Sequence, residues 1–326
     1  MVKTLVSIFL AFLASAALAG PSDVAYPQGA LWHLRETNRY EEAQVLEDRL
    51  STILKTSAAK HVYVLNFGVS ESYLIEFDNN IFAIAKRADP KVPDSPKHEV
   101  GAYLLDRELS LNTVPLTVNR TIDGEEISLQ IYYPALREED IPPEYVHNPK
   151  EFSEAWNKIE FLDGLTVNRD RDDEHNLHQG KDFRLVAIDN ARAFIDGAPD
   201  ETSQVFKQNR IAELPGQIRL HISQLDLVRL KRTLEKYVNE RPLRTLLQKL
   251  EGIRRGLDVT KFEVKSQAIL PKAIPPSFSA PPEIAQFVKM AKEYGNRHSK
   301  DGLDAAKMLK LLGSARFRCE TLFTDP

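Results

Sequence analysis

A single cysteine, Cys319, in a chain of 326 residues rules out any disulfide within the molecule. Stability therefore has to come from packing. Glycine is scarce at 14 residues, and no GxxxxGK stretch occurs, which excludes a Walker-type phosphate loop. There is no HExxH either. His175 and His178 lie three apart, but the one cysteine is distant, so a zinc site has little to build on. After the first 20 residues no uncharged run reaches the roughly 18 to 20 residues a membrane helix needs, so no transmembrane segment is expected in the mature chain. Lys and Arg number 43 against 47 Asp and Glu, a net charge of −4 that leaves no electrostatic footprint for nucleic acid.

What is present begins with MVKTLVSIFLAFLASAALAG, one Lys, an apolar stretch and small residues before a Gly-Pro step. This order predicts a signal peptide over residues 1–19, cleaved after Ala19, and a secreted or periplasmic protein. An exported chain of this size without disulfides favours a bacterial source.

Apolar residues at Leu31, Leu34, Val45, Leu46, Leu50 and Ile53 predict a helical segment within 20–57, either one helix or two broken near Asn38. Branched and aromatic runs at Tyr73–Phe77 and Ile81–Ala85 predict strands around the turn Asp78-Asn79-Asn80. Ser95-Pro96 reads as the N-cap and first residue of a helix. Asp123-Gly124 signals a hairpin. From 150 onward the pattern turns helical: a candidate helix over 151–165, a periodic run over 218–257 with breaks expected at Pro242 and Gly252, and a last helix over 284–312. The fold class is α+β, bilobal, with a strand-rich small lobe over 58–149, a mostly helical lobe over 150–326, and a ligand cleft between.

The chemistry concentrates in NRDRDDEHNLHQGKDFRLVAIDNARAF, residues 168–194. Asn168, Asp170 and Asp172 alternate as calcium-loop ligands do, but the sixth and twelfth positions are Asp173 and Gln179 where such a loop needs Gly and Glu. A plain solvated loop also fits the charge run. Alternatively, a strand over 183–188 ending at Asp189 can bring two acidic groups to one metal-bound phosphate. Partners for that reading exist upstream. Lys86 ends a strand, Glu99 lies on the following helix where it can pair with that Lys, and Gly68, Ser70 and Ser72 sit at a strand turn whose amides and hydroxyls can cap phosphate oxygens.

LDGLTVNRDRDDEHN followed by LVAIDNARAF resembles the atypical kinases that share an N-x-D-R loop and a strand ending I-D-N-x-x-A-F. These are the type II phosphatidylinositol 4-kinases, the secretory-pathway Golgi casein kinases and, more distantly, the HipA-type bacterial kinases. HEVGAYLLDRELSLNTVPLTV is similar to their Glu-bearing helix and the strand after it, and GVSESYLIEF to a nucleotide loop. The resemblance spans about residues 66–194 and implies a bilobal protein-kinase-like fold. It makes Asp170 the catalytic aspartate, Lys86 the nucleotide lysine, Glu99 its ion-pair partner and Asp189 a ligand of Mg or Mn. The second metal ligand falls on His175, where the family has Asn, or on Asn176 one residue later; Glu71 replaces a loop glycine.

The expected function is an exported, metal- and ATP-dependent kinase that phosphorylates a hydroxyl acceptor. No cysteine-rich lipidation motif is present, which favours a protein or small-molecule acceptor over a lipid. The alternative is a secreted pseudokinase, a nucleotide-binding scaffold without phosphotransfer. A calcium-binding adhesin is a third class.

Overall fold

In the computed structural model the described residues are 25–65, 72–122, 124–134, 149–168, 170–171, 177–179, 184–195, 214–257, 274, 277–281, 284–285 and 288–289. The expected signal peptide lies outside them.

The chain begins with two helices, α1 (Pro27–Glu36) and α2 (Tyr40–Thr56). The break falls at Asn38, whose φ of 58° is left-handed, a conformation Asn tolerates better than most residues. Of the two arrangements the periodicity allowed, the broken one forms. Leu31, Leu34, Leu46, Leu50 and Leu54 bury their side chains in the main core.

An antiparallel sheet follows, with β1 (His61–Leu65), β2 (Ser72–Phe77), β3 (Ile81–Lys86), β4 (Thr117–Ile122) and β5 (Glu125–Ile131) in the order β1-β2-β3-β5-β4. The turns are where the sequence puts them. A one-turn 3-10 segment, Asp78–Asn80, joins β2 to β3 with Asn79 and Asn80 at φ of 61° and 57°, and Gly124 at φ 80° serves the β4–β5 hairpin. Alternation decides the two faces of the sheet. Tyr73, Ile75, Phe77, Ala83 and Ala85 enter the main core, whereas Leu74, Phe82 and Ile84 form a second apolar cluster with Leu65, Tyr63 and Ile284.

Between β3 and β4 runs α3 (Ser95–Leu109). Its start corrects the expected cap by one residue. Asp94 is at the N-cap position without a side-chain cap bond, and Ser95 is inside the helix with its Oγ accepting from the Asp89 amide at 2.9 Å. On the side of α3 facing α2, buried Glu47 accepts from Arg35 Nη2, Tyr103 Oη and Arg107 Nη1, each at 2.8 Å. Three elements are thereby tied to one carboxylate.

The second half holds α4 (Pro149–Thr166), a short antiparallel pair β6 (Leu177–Gln179) and β7 (Leu185–Ala187), and helices α5 (Gly216–Ser223), α6 (Leu227–Leu234) and α7 (Glu240–Gly256). The predicted breaks at Pro242 and Gly252 are wrong. Pro242 sits in the first turn of α7, where its missing N–H has no intrahelical partner to lose, and Gly252 lies inside the helix, where it costs about 1 kcal/mol without ending it. The chain turns instead before α6, where Asp226 Oδ1 accepts from the amides of Val228 and Arg229 at 2.9 and 3.0 Å, and again over 235–239. Of the helix expected over 284–312, residues 284–285 and 288–289 are described and helical; the rest lies outside the described residues. Among the described residues no helix is long and apolar enough to cross a membrane.

Candidate functional site

Lys86 is the last residue of β3, flanked across the sheet by Ser72 of β2 and Ser128 of β5. Its Nζ lies 2.8 Å from Glu99 Oε1 and 2.9 Å from Asp189 Oδ1. The Glu99 side chain is 2% exposed, so its charge is tolerable only because both oxygens are engaged: Oε2 accepts the backbone N–H of Asn190 at 3.0 Å. Burial works against the charged Lys86, but the Glu99 and Asp189 carboxylates outweigh it and raise the lysine above its ordinary range. Burial likewise works against the Asp189 carboxylate, yet Lys86 beside it holds its pKa below the usual value.

Asp189 has a φ of 55°, left-handed and unfavourable for a residue with a Cβ. The turn that follows is docked on α3 at three points. Asn190 donates to Glu99; the His98 ring Nδ1 lies 3.1 Å from the Ala191 carbonyl; and the Phe194 ring packs where α3 carries Gly101. A Cβ on Gly101 would sit 3.1 Å from Phe194 and 3.1 Å from Val238, tight enough that both side chains would have to give by a few tenths of an ångström. The Phe194 amide is tied to Thr166 O at 2.7 Å, which joins the turn to the end of α4.

Asp170 is carried by the segment after α4. Asn168 Oδ1 accepts from the Asp170 amide at 3.2 Å, an Asx turn that sets the backbone there, and Asn168 Nδ2 donates to Asp163 Oδ1 at 3.2 Å. Arg171, only 5% exposed, joins the two loops. Its Nε and Nη2 donate to Asp163 Oδ2 and Oδ1 at 3.0 and 3.1 Å, Nη2 also to Asn190 Oδ1 at 2.7 Å, and Nη1 to the Ile188 carbonyl. The residues on either side of Asp189 are thus bonded to the residue next to Asp170. Asp170 itself is 43% exposed, with Arg192 Nε 3.4 Å away.

Of the residues singled out in the sequence, Lys86, Glu99 and Asp189 touch directly, Asp170 is linked to them through Arg171, and Ser72 stands opposite Lys86. Gly68, Ser70, His175 and Asn176 lie outside the described residues. The sequence reading gave no role to Asp163, His98 or Gly101, nor to Arg171 and Asn190, although the last two stand inside the N-x-D-R and I-D-N-x-x-A-F motifs. Arg171 was hidden inside the acidic knot, where an arginine reads as a solvated counter-charge, and Asp163 carries no signal beyond standing eight residues earlier.

Among the described residues no cluster of three or more His, Cys, Asp or Glu side chains is poised on one point. The donors that are present, the partly exposed carboxylates of Asp189 and Asp170, are hard oxygen ligands. Such a set suits magnesium or manganese, which take one or two carboxylates and complete their shell from phosphate and water.

No protein-family profile and no curated protein matches this chain. Solved structures do. The Golgi casein kinase is 17% identical over 69% of this chain and 76% of its own, with a TM-score of 0.47; its structure with Mn and ADP bound gives 16%, 69%, 78% and 0.46. Hydra Fam20 with sugar is 12% identical over 69% of this chain and 92% of its own, with a TM-score of 0.46. None of these three is a lipid kinase or a HipA-type kinase. At this degree of overlap the likeness fixes neither an activity nor a substrate.

Proposed function

We propose that the protein is an exported kinase that moves the γ-phosphoryl group of ATP to a hydroxyl acceptor. The observation that carries this reading is Lys86 held between Glu99 and Asp189, with Arg171 binding the Asp189 turn to the Asp170 loop. Catalysis of phosphoryl transfer needs positioning and charge neutralisation more than covalent chemistry, and these residues supply both.

Lys86, fixed by Glu99, presents an ammonium to the α and β phosphates, with the Ser72 end of β2 beside it. Asp189 is the residue that would hold a magnesium or manganese ion, which would supply charge neutralisation at the phosphates. Asp170, exposed and oriented by Asn168, orients the acceptor hydroxyl and takes its proton as the acceptor oxygen bonds to phosphorus. The bond from the γ phosphorus to the bridging oxygen breaks, and ADP leaves. A protein or small molecule, rather than a lipid, is the acceptor this reading favours. His175 and Asn176 are candidates for a second metal contact.

The test is incubation of the protein with labelled ATP and manganese, followed first as autophosphorylation. Wild type should incorporate label and Asp189→Asn should not, with unchanged circular dichroism. Equal incorporation by the two proteins refutes the assignment. A second reading, nucleotide binding without transfer, draws on Arg192 lying beside Asp170 where a substrate hydroxyl would have to approach. It predicts a manganese-dependent ATP thermal shift and no incorporation by wild type.

A further inference from the structure

α6 and α7 turn their apolar sides inward, where Leu230, Leu234, Leu243, Leu246, Leu250 and Ile253 are buried. Their outward sides are strongly basic. Residues 227–256 carry nine Lys and Arg against three Glu, in a chain whose overall charge is −4. The pairing that usually neutralises such a surface is sparse. Arg254 and Arg255 share Glu251, and Arg229 reaches Glu108, but Lys231, Arg232, Lys236 and Arg244 are exposed with no ion pair among the described residues. Helix dipoles account for cations in a last turn, such as Lys231, Arg232, Arg254 and Arg255. They do not account for Arg244, in the first half of α7, or for Lys236 beyond the end of α6.

Along α7, with Lys231 of α6 beside it, runs an open groove of about 510 Å³ lined by Leu243 and Leu247, by Lys231, Arg244 and Arg255, and by the carboxylates of Glu240 and Glu251, the latter already paired with Arg255. It follows α7 from Glu240 to Arg255, which at the helical rise is about 22 Å, the length of some seven extended residues. An apolar floor between spaced cations matches a polypeptide that alternates carboxylates with apolar side chains. It does not match a bilayer, since the apolar sides of both helices are already spent on the core and a recessed floor cannot insert. A nucleic acid would leave the leucines without a counterpart.

We propose that the α6–α7 groove docks an acidic peptide segment of a partner protein, with carboxylates on Lys231 and Arg244, the lining cations that have no ion pair among the described residues, and an apolar residue on Leu247. Glu240 repels a carboxylate at one end, whereas Glu251 toward the other is neutralised by Arg254 and Arg255, and this difference gives the groove a direction. The proposal does not depend on phosphotransfer, and its test measures binding alone.

The probe is a fluorescein-labelled peptide of about twelve residues, glutamates interspersed with leucines, measured by anisotropy against the full chain. A peptide with glutamine for every glutamate serves as control. Expected are binding to the acidic peptide at least tenfold tighter than to the control, weakening with added salt, a loss of tenfold or more in Arg244→Glu, and a smaller loss in Leu247→Ser. Arg232→Glu changes the net charge equally but lies outside the groove lining, so it should alter affinity less than threefold. Circular dichroism of each variant confirms folding. Equal binding of both peptides, equal losses for Arg244→Glu and Arg232→Glu, or binding to phosphatidylserine vesicles in place of the peptide would each overturn the proposal. So would a concentration-dependent dimer in light scattering that Arg244→Glu abolishes, because the groove would then hold a second copy of this chain.

Discussion

Arg171 and Asp163 form a two-bond fork, Nε to Oδ2 at 3.0 Å and Nη2 to Oδ1 at 3.1 Å, in a place where the arginine side chain is 5% exposed. The same guanidinium holds the Ile188 carbonyl and Asn190. Removing it leaves a buried carboxylate without its cation and cuts the link between the Asp170 loop and the Asp189 turn. Arg171→Ala should therefore cost about 3–5 kcal/mol in urea unfolding. Arg171→Lys keeps the charge and loses the fork, so it should fall between wild type and Arg171→Ala. If Arg171→Ala unfolds at the wild-type urea midpoint, the fork holds nothing together.

Lys86 is the cation that keeps Asp189 ionised. In Lys86→Met the Asp189 carboxylate stays partly buried beside Glu99 and keeps only the more distant Arg171 as a cation, so its pKa should rise. The sign follows from linkage. With a depressed folded-state value, Asp189 contributes stability above the ordinary carboxylate range and loses it as pH falls through the folded value; Lys86→Met removes the largest favourable part of that contribution. NMR titration of the side-chain carboxyl reads the shift directly. Phosphoryl transfer, if present in wild type, should drop by about 10²–10³-fold.

Gly101→Val tests the contact of α3 with Phe194. A Cβ meets two side chains at 3.1 Å, and the further methyls of Val add crowding. Overpacking of about 1–3 kcal/mol should exceed the roughly 1 kcal/mol that replacing a helical glycine can return. The urea midpoint should fall, and under the proposed function ATP binding should weaken with it, because Glu99 rides on the same helix.

Glu47→Ala should destabilise by about 3–5 kcal/mol, since Arg35, Arg107 and the Tyr103 hydroxyl all lose their shared acceptor. Thermal unfolding checks it, and a change below 1 kcal/mol would show that the three donors find other partners.

His98 is buried, and burial lowers its pKa below the ordinary 6.5. Between the two values the unfolded chain binds more protons than the folded one, so stability is complete above the ordinary value and declines as pH falls below it. His98→Asn keeps a donor for Ala191 and removes the titration. Its melting temperature should depend less on pH below about 6.5 than that of wild type.

Much of the architecture was legible because short-range physics dictates it. The β4–β5 hairpin follows from Asp123-Gly124, the helix break from Asn38, and the strands from their branched and aromatic runs. The α6–α7 region misled because Pro242 and Gly252 look like breakers, while their actual cost depends on where a helix starts, and that is set by the caps around Asp226 and Asn239. In the candidate site, Lys86, Glu99 and Asp189 stood out as charges at element ends. Arg171 stood only as the last letter of N-x-D-R without a role, and His98 and Gly101 not at all, since their significance lies in what approaches them from distant parts of the chain.

The left-handed backbone of Asp189 carries one more implication. Glycine would sit there without penalty, and Asp189→Gly should relax the turn while discarding the carboxylate that Lys86 holds. The two effects on stability oppose each other, backbone strain relieved against an ion pair lost. The turn is thus pinned in an uncomfortable geometry by its neighbours, and whether Asp189→Gly melts earlier or later than wild type tells which of the two contributions is larger.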